Sequence, residues 1–140
     1  MISEKTYSFG VYIARFRDGD TLEGFLRCGC CDASTHVVIR LPSIDSWELD
    51  APERALALEV ARSLTATHRG ALGVLAAGAI RRDCYGRVIG DVLIDGHSLT
   101  MQIVEAGMAW WGVNTPEPVG FVRFGRKDPA TLTAAESSQT

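Results

Sequence analysis

The chain has 140 residues, 46% of them hydrophobic and 22% charged, a balance that suits one globular domain and excludes a wholly disordered chain, a collagen-like repeat and a coiled-coil fibre. Fourteen basic against seventeen acidic side chains leave a formal net charge of −3. A broad basic face for non-specific nucleic-acid binding is thereby excluded, and any attraction for a polyanion has to be local.

Tyr7 to Phe16 is rich in aromatic and β-branched residues and runs into Asp18-Gly19-Asp20, a turn signature, before Thr21 to Arg27 resumes an extended pattern. A β-hairpin with Gly19 at its tip is predicted. The polar connection Cys28 to Thr35 leads to a third strand over His36 to Leu41. From Asp50 the period becomes helical: Ala51, Arg54, Ala55, Leu58, Ala61 and Arg62 share a spacing, Leu56, Leu58, Val60 and Leu64 supply apolar faces, and Asp50 with Glu53 resembles a capping box. The helix is expected to end near Arg69-Gly70.

Ala71 to Ala77 and Arg87 to Ile94 read as two further strands, joined by a polar connection through Arg81, Arg82, Asp83 and Gly86. Ser98 is placed to cap a short helix that Gly107 closes. The expected order is β-β-β-α-β-β-α, a mainly β fold of the α+β class. After Trp111 the pattern fades through Pro116, Pro118 and a small basic patch of Arg123, Arg126 and Lys127, and Ala130 to Thr140 is small and polar. The domain is expected over residues 1–111, with 112–140 a partly disordered C-terminal extension. No apolar run approaches the roughly 20 residues of a membrane span. No small-residue cleavage site follows the apolar stretch Tyr7 to Ala14, so a cytoplasmic protein with no membrane partner is expected.

Several charged residues recur where strands end. Asp18 and Asp20 flank the hairpin turn, Asp45 follows the third strand, and hard oxygen ligands of this kind suit calcium or magnesium. Asp and Gly also dominate turns for conformational reasons alone. Arg40, Asp45 and Glu48 fall within nine residues, and Arg87 opens a later strand. Phosphodiester cleavage uses such groups: a metal and two guanidinium forks meet the charge on pentacoordinate phosphorus while a carboxylate takes a proton from water. Twelve of the fourteen basic residues are Arg, a bias toward bidentate recognition of phosphate or carboxylate.

Four strings in order, Asp18-Gly19-Asp20-Thr21, Arg40-Leu41-Pro42-Ser43-Ile44-Asp45-Ser46-Trp47-Glu48, Asp83-Cys84-Tyr85-Gly86-Arg87 and Val104-Glu105-Ala106-Gly107-Met108-Ala109-Trp110, resemble the staphylococcal nuclease family over about residues 7 to 111. The resemblance implies a five-stranded OB-fold barrel and a metal-dependent nuclease, hydrolysing DNA or RNA with calcium, or with magnesium or manganese in its place. It implies Asp20 and Asp45 as metal ligands with the Ser46 carbonyl as a third contact. Glu48 would activate the water, Arg40 and Arg87 would bind the scissile phosphate, and Tyr85 a neighbouring one. Trp110 and Trp111 are candidates for stacking a base of a single-stranded substrate, against the competing expectation that at least one of them is core.

Departures from the family pattern accompany the likeness. Trp47 stands where the family has Pro before its catalytic Glu, Cys84 replaces a basic residue, and Pro42 interrupts the strand before the acidic loop. A second acidic string, Asp50-Ala51-Pro52-Glu53, offers another register, but Arg40 lies five residues before Asp45, the family's spacing, while Asp50 and Glu53 have a sufficient role in capping. A catalytically weak nucleic-acid-binding or protein-interaction module is the rival reading of the whole. Cys28, Cys30, Cys31 and Cys84 lack zinc-site spacing and are expected as reduced thiols. Gly73 to Gly78 lacks the Lys and Ser/Thr of a phosphate-binding loop.

Overall fold

The computed structural model describes residues 7–27, 34–77 and 86–125. Tyr85, the four cysteines, the connection through Arg81, Arg82 and Asp83, and the stretch 126–140 lie outside the described residues. Strands β1 (Tyr7–Phe16) and β2 (Thr21–Arg27) form the expected hairpin, with Phe16 opposite Leu22. The register slips between Ile13 and Arg15. That extra residue turns Phe16 inward behind Val11 and Ile13 and leaves Arg15 outside. Strand β3 (Ser34–Arg40) lies antiparallel on β2 and places Arg40 opposite Thr21, beside the hairpin turn.

Leu41-Pro42-Ser43 breaks the extended run, with Ser43 at φ +63°, before the two-residue β4 (Ile44–Asp45). Helix α1 (Arg54–His68) buries Ala57, Val60, Ala61 and Leu64, the i, i+3, i+4, i+7 stripe of an amphipathic helix. It is tied to β1 by the Phe16 amide, which donates to Thr65 Oγ1 at 2.9 Å. Strand β5 (Leu72–Ala77) pairs with the free side of β1. Then β6 (Val88–Ile89) runs parallel to β3, and β7 (Asp91–Ile94) antiparallel to β5, with Gly90 alone between them. Two-residue β8 (His97–Ser98) precedes α2 (Leu99–Glu105), whose Ser98 cap accepts from the Met101 amide at 3.1 Å as predicted. Finally β9 (Trp110–Trp111) pairs with β4.

The expected five-strand barrel is corrected on two points. The order is β-β-β-β-α-β-β-β-β-α-β, because β4 and β9 form only through each other, β8 turns straight back on β7, and the last long strand divides at Gly90. The seven-stranded sheet, in the order β6-β3-β2-β1-β5-β7-β8, is open: its edges do not pair with each other. The division at Gly90 sends one half of that strand to β3 and the other half to β5, where a continuous ladder would have closed the sheet. The fold is therefore a mixed α+β arrangement, mostly strands, with two helices among the described residues. No described helix is long and apolar enough to cross a membrane.

The capping box is also corrected. The helix begins at Arg54 with Glu53 at the N-cap position and no side-chain cap. The Glu53 carboxylate instead accepts from the Glu48 amide at 2.8 Å. Residues 112–125 lie back on the domain, where Phe121 and Phe124 join the core and the Phe124 amide donates to the Gly107 carbonyl at 2.9 Å. Gly107, at φ +74°, leaves no room for a Cβ beneath the Val122 carbonyl, 2.5 Å from where that atom would stand.

Candidate active site

The hairpin turn is built around one carboxylate. Asp18 Oδ1 accepts from the amides of Asp20 and Thr21, both at 3.0 Å, the local ring that Asp forms in turns. This presents Asp20, whose Oδ1 accepts from the Thr21 hydroxyl at 2.8 Å and whose Oδ2 lies 3.6 Å from Arg40 Nη2. Gly19 is required by crowding: a Cβ there would stand 2.3 Å from Ser46 Oγ and 2.4 Å from the Met108 carbonyl. Those two atoms are joined by a 2.7 Å hydrogen bond from the Ser46 hydroxyl. The first acidic loop is thus locked against the second.

The second loop hangs on Arg40. Its guanidinium donates to the Leu41 carbonyl at 2.7 Å and the Ile44 carbonyl at 2.6 Å, fixing the corner that delivers Asp45. Asp45 Oδ1 accepts from the Ser46 amide, and Oδ2 from the Thr115 amide, each at 2.9 Å. Trp47 points away from the site. It is 1% exposed, packs edge-on against Trp110, Phe121 and Phe124, and donates from Nε1 to Glu117 at 2.6 Å. Burying Trp47 leaves its neighbour Glu48 outward, held at its amide by Glu53.

Asp20, Arg40, Asp45, Glu48 and Arg87 line one cavity of about 600 Å³. Arg17, Asp18 and Asn114 complete its polar wall. Burial, then the charge of Asp20, pushes the Asp18 carboxyl up to about 8 from an ordinary 3.8. Burial likewise raises Glu48, followed by the charges of Asp45, Asp20, Glu53 and Asp50. Like charges that hold one another's protons on are what a bound cation relieves, and the donors are hard oxygens, so the residues fit calcium or magnesium. Among the described residues no three His, Cys, Asp or Glu side chains converge closely enough to hold an ion by themselves. Backbone oxygen or water has to complete such a set.

The remaining sequence-predicted residues separate. Ser46 is buried with its hydroxyl spent on Met108. The stacking role expected of Trp110 is corrected: at 4% exposure it is core, enclosed by Trp47 and Phe121 and donating from Nε1 to Thr115. Trp111 is 55% exposed and outside the cavity lining, and Tyr85 lies outside the described residues. Sequence reasoning missed Asn114 and Thr115. Asn114 sits at φ +55° in the cavity wall, and the Gly112 amide donates to the Ser43 carbonyl at 2.9 Å, which carries this segment to Asp45. The available signal was Gly112 and Asn114 two residues apart, both tolerant of positive φ. No family model and no curated protein matches the chain.

Proposed function

We propose that this chain is a metal-dependent phosphodiester hydrolase of the staphylococcal-nuclease kind, cutting DNA or RNA and preferring single strands. The single observation that carries the reading is the convergence of Asp20, Arg40, Asp45, Glu48 and Arg87, drawn from separate parts of the sequence, on one cavity. The cavity lies where the β1–β2 turn, the end of β3 and the loop after β4 meet, and in this reading the sheet is an OB-like platform for it. Asp20 and Asp45, with the Ser46 carbonyl, would hold the cation, calcium first. A divalent ion so held supplies Lewis-acid neutralisation of a phosphoryl oxygen.

Glu48 accepts a proton from water as the water oxygen attacks phosphorus. Its proton affinity, raised first by burial and then by the charges of Asp45, Asp20, Glu53 and Asp50, brings it nearer the range of an effective base. Arg87 and the unspent N–H groups of Arg40 meet the charge that builds on the phosphoryl oxygens. The phosphorus–oxygen bond to the leaving sugar then breaks, and that oxygen takes up a proton. Arg40 also favours the rival reading of a binding module, since its guanidinium already serves two backbone carbonyls.

Cleavage of a single-stranded oligonucleotide, titrated with calcium, magnesium and manganese, decides between them. Activity is expected with calcium, abolished by chelation, and reduced about 10²–10⁴-fold by Glu48→Gln with folding preserved. Binding without cleavage under all three cations would establish the binding module instead.

A further inference from the structure

We propose that the arginine-rimmed groove between β1 and α1 carries the single-stranded polynucleotide beyond the phosphate being cut, an inference that rests on the nuclease reading and names the path of its substrate. The groove has a volume of about 750 Å³ and an apolar floor that includes Phe16, Leu49, Leu58 and Ala61. Arg15, Arg17, Arg54, Arg62 and Arg69 rim it, and no Asp or Glu lines it. In a chain of net charge −3 this is a local reversal of sign, the kind that focuses an anion onto one track.

The five arginines are not equally committed. Glu23 pairs with Arg15 at 2.6 Å and Arg17 at 3.0 Å, and Arg54 donates to the Leu49 carbonyl at 3.1 Å. Arg62 and Arg69 are exposed, and neither side chain has an ion-pair partner among the described residues. From Arg54 to Arg69 the groove follows α1 for about 22 Å at 1.5 Å per residue, the length of roughly six nucleotides stacked at 3.4 Å.

Continuity with the cavity identifies the occupant. Arg17 lines both spaces, and Leu49 of the groove follows Glu48 of the cavity. A strand whose phosphate lies between Arg40 and Arg87 leaves past Arg17 onto α1. Cations at the rim and an apolar floor suit a polymer that repeats a phosphate and a flat ring in every unit.

The test uses the full chain and fluorescent oligothymidylates of two and twelve nucleotides. Binding is followed by anisotropy in chelator across a range of potassium chloride, and cleavage of the dinucleotide is followed with calcium. Losing two phosphate contacts at about 0.7 each, Arg62→Ala/Arg69→Ala is expected to lower the salt slope for the twelve-mer by about 1.4. Its low-salt affinity should fall about tenfold or more, with dinucleotide binding and cleavage unchanged. Arg62→Lys/Arg69→Lys should keep the slope.

A twelve-mer bound equally by wild type and the alanine variant overturns the groove, while dinucleotide cleavage by the same samples leaves the nuclease reading standing. A lowered slope with no cleavage by wild type supports the groove as a binding track and removes the nuclease. Displacement of the twelve-mer by polyglutamate at matched charge overturns the proposal in favour of an acidic peptide. Wild type that neither binds nor cuts overturns both.

Discussion

Replacing Trp47 tests how far the acidic loop and the C-terminal segment rest on one buried ring. Its ring is 1% exposed and meets Trp110, Phe121 and Phe124 at centroid distances of 5.3, 6.0 and 5.9 Å. Nε1 donates to Glu117, whose carboxylate also accepts from Arg123 Nε at 3.0 Å. Truncating a buried Trp to Ala costs about 3–5 kcal/mol, a large share of the 5–15 kcal/mol that holds a domain together. Trp47→Phe retains a ring and loses the hydrogen bond to a carboxylate; bonds to charged groups contribute about 1.5–3 kcal/mol, and the Arg123 contact cushions the loss, so about 2 kcal/mol is expected. Trp47→Pro, which removes the ring and a backbone N–H together, should cost at least as much as Ala. Urea unfolding measures all three through the shift in midpoint at constant slope. A loss under about 1 kcal/mol for Trp47→Ala would refute the reasoning, because it would mean that residues 117–124 do not rest on this ring.

Gly19→Ala forces a methyl into the space between Ser46 and Met108, an overpacking cost of about 1–3 kcal/mol; thermal melting should show it, and an unchanged melting temperature would deny the contact between the two acidic loops. Glu53→Ala removes the acceptor for the Glu48 amide, so turnover should fall while stability changes by about 1 kcal/mol; Glu53→Gln keeps an acceptor and should stay near wild type. Burial raises Glu23, but hydrogen bonds from Arg17, His36 and Arg15 outweigh it and hold the carboxyl at about 2 against an ordinary 4.5. Its contribution to stability is therefore complete above pH 4.5 and lost as pH falls toward 2. Denaturant midpoints for Glu23→Gln should be flatter than wild type across that window, and an identical pH profile would count against the cluster.

Local pattern carried the long elements well. The hairpin, the third strand, α1 and the Ser98 cap follow from periodicity and turn chemistry that act within a few residues. The stripe on α1 was legible as a period and in part of its phase: Val60, Ala61 and Leu64 face the core as the pattern has them, while Ala57 was missed. The charged residues of the cavity were legible because strand-end spacing fixes Arg40, Asp45 and Glu48 relative to one another. What stayed hidden depends on distant partners. Strands β4 and β9 exist only as each other's complement, and nothing near Trp47 in sequence announces Phe121 or Glu117. Glu53 looked like a helix cap because a capping box and a reach back to Glu48 use the same carboxylate, and only the path of the chain chooses between them.

The bond from the Thr115 amide to Asp45 Oδ2 spans 70 residues, and it orders events during synthesis. A growing chain that has reached Arg87 already contains Asp20, Arg40, Asp45, Glu48 and Arg87. It still lacks Thr115, which orients Asp45, and Phe121 and Phe124, which seat the ring beside Glu48. The cavity is thus finished last, after every charged side chain that lines it has been made. An unfinished polypeptide carries the charged side chains without the contacts that align them, and the cavity takes its shape only when the segment from Gly112 to Phe124 has been laid down and has folded back.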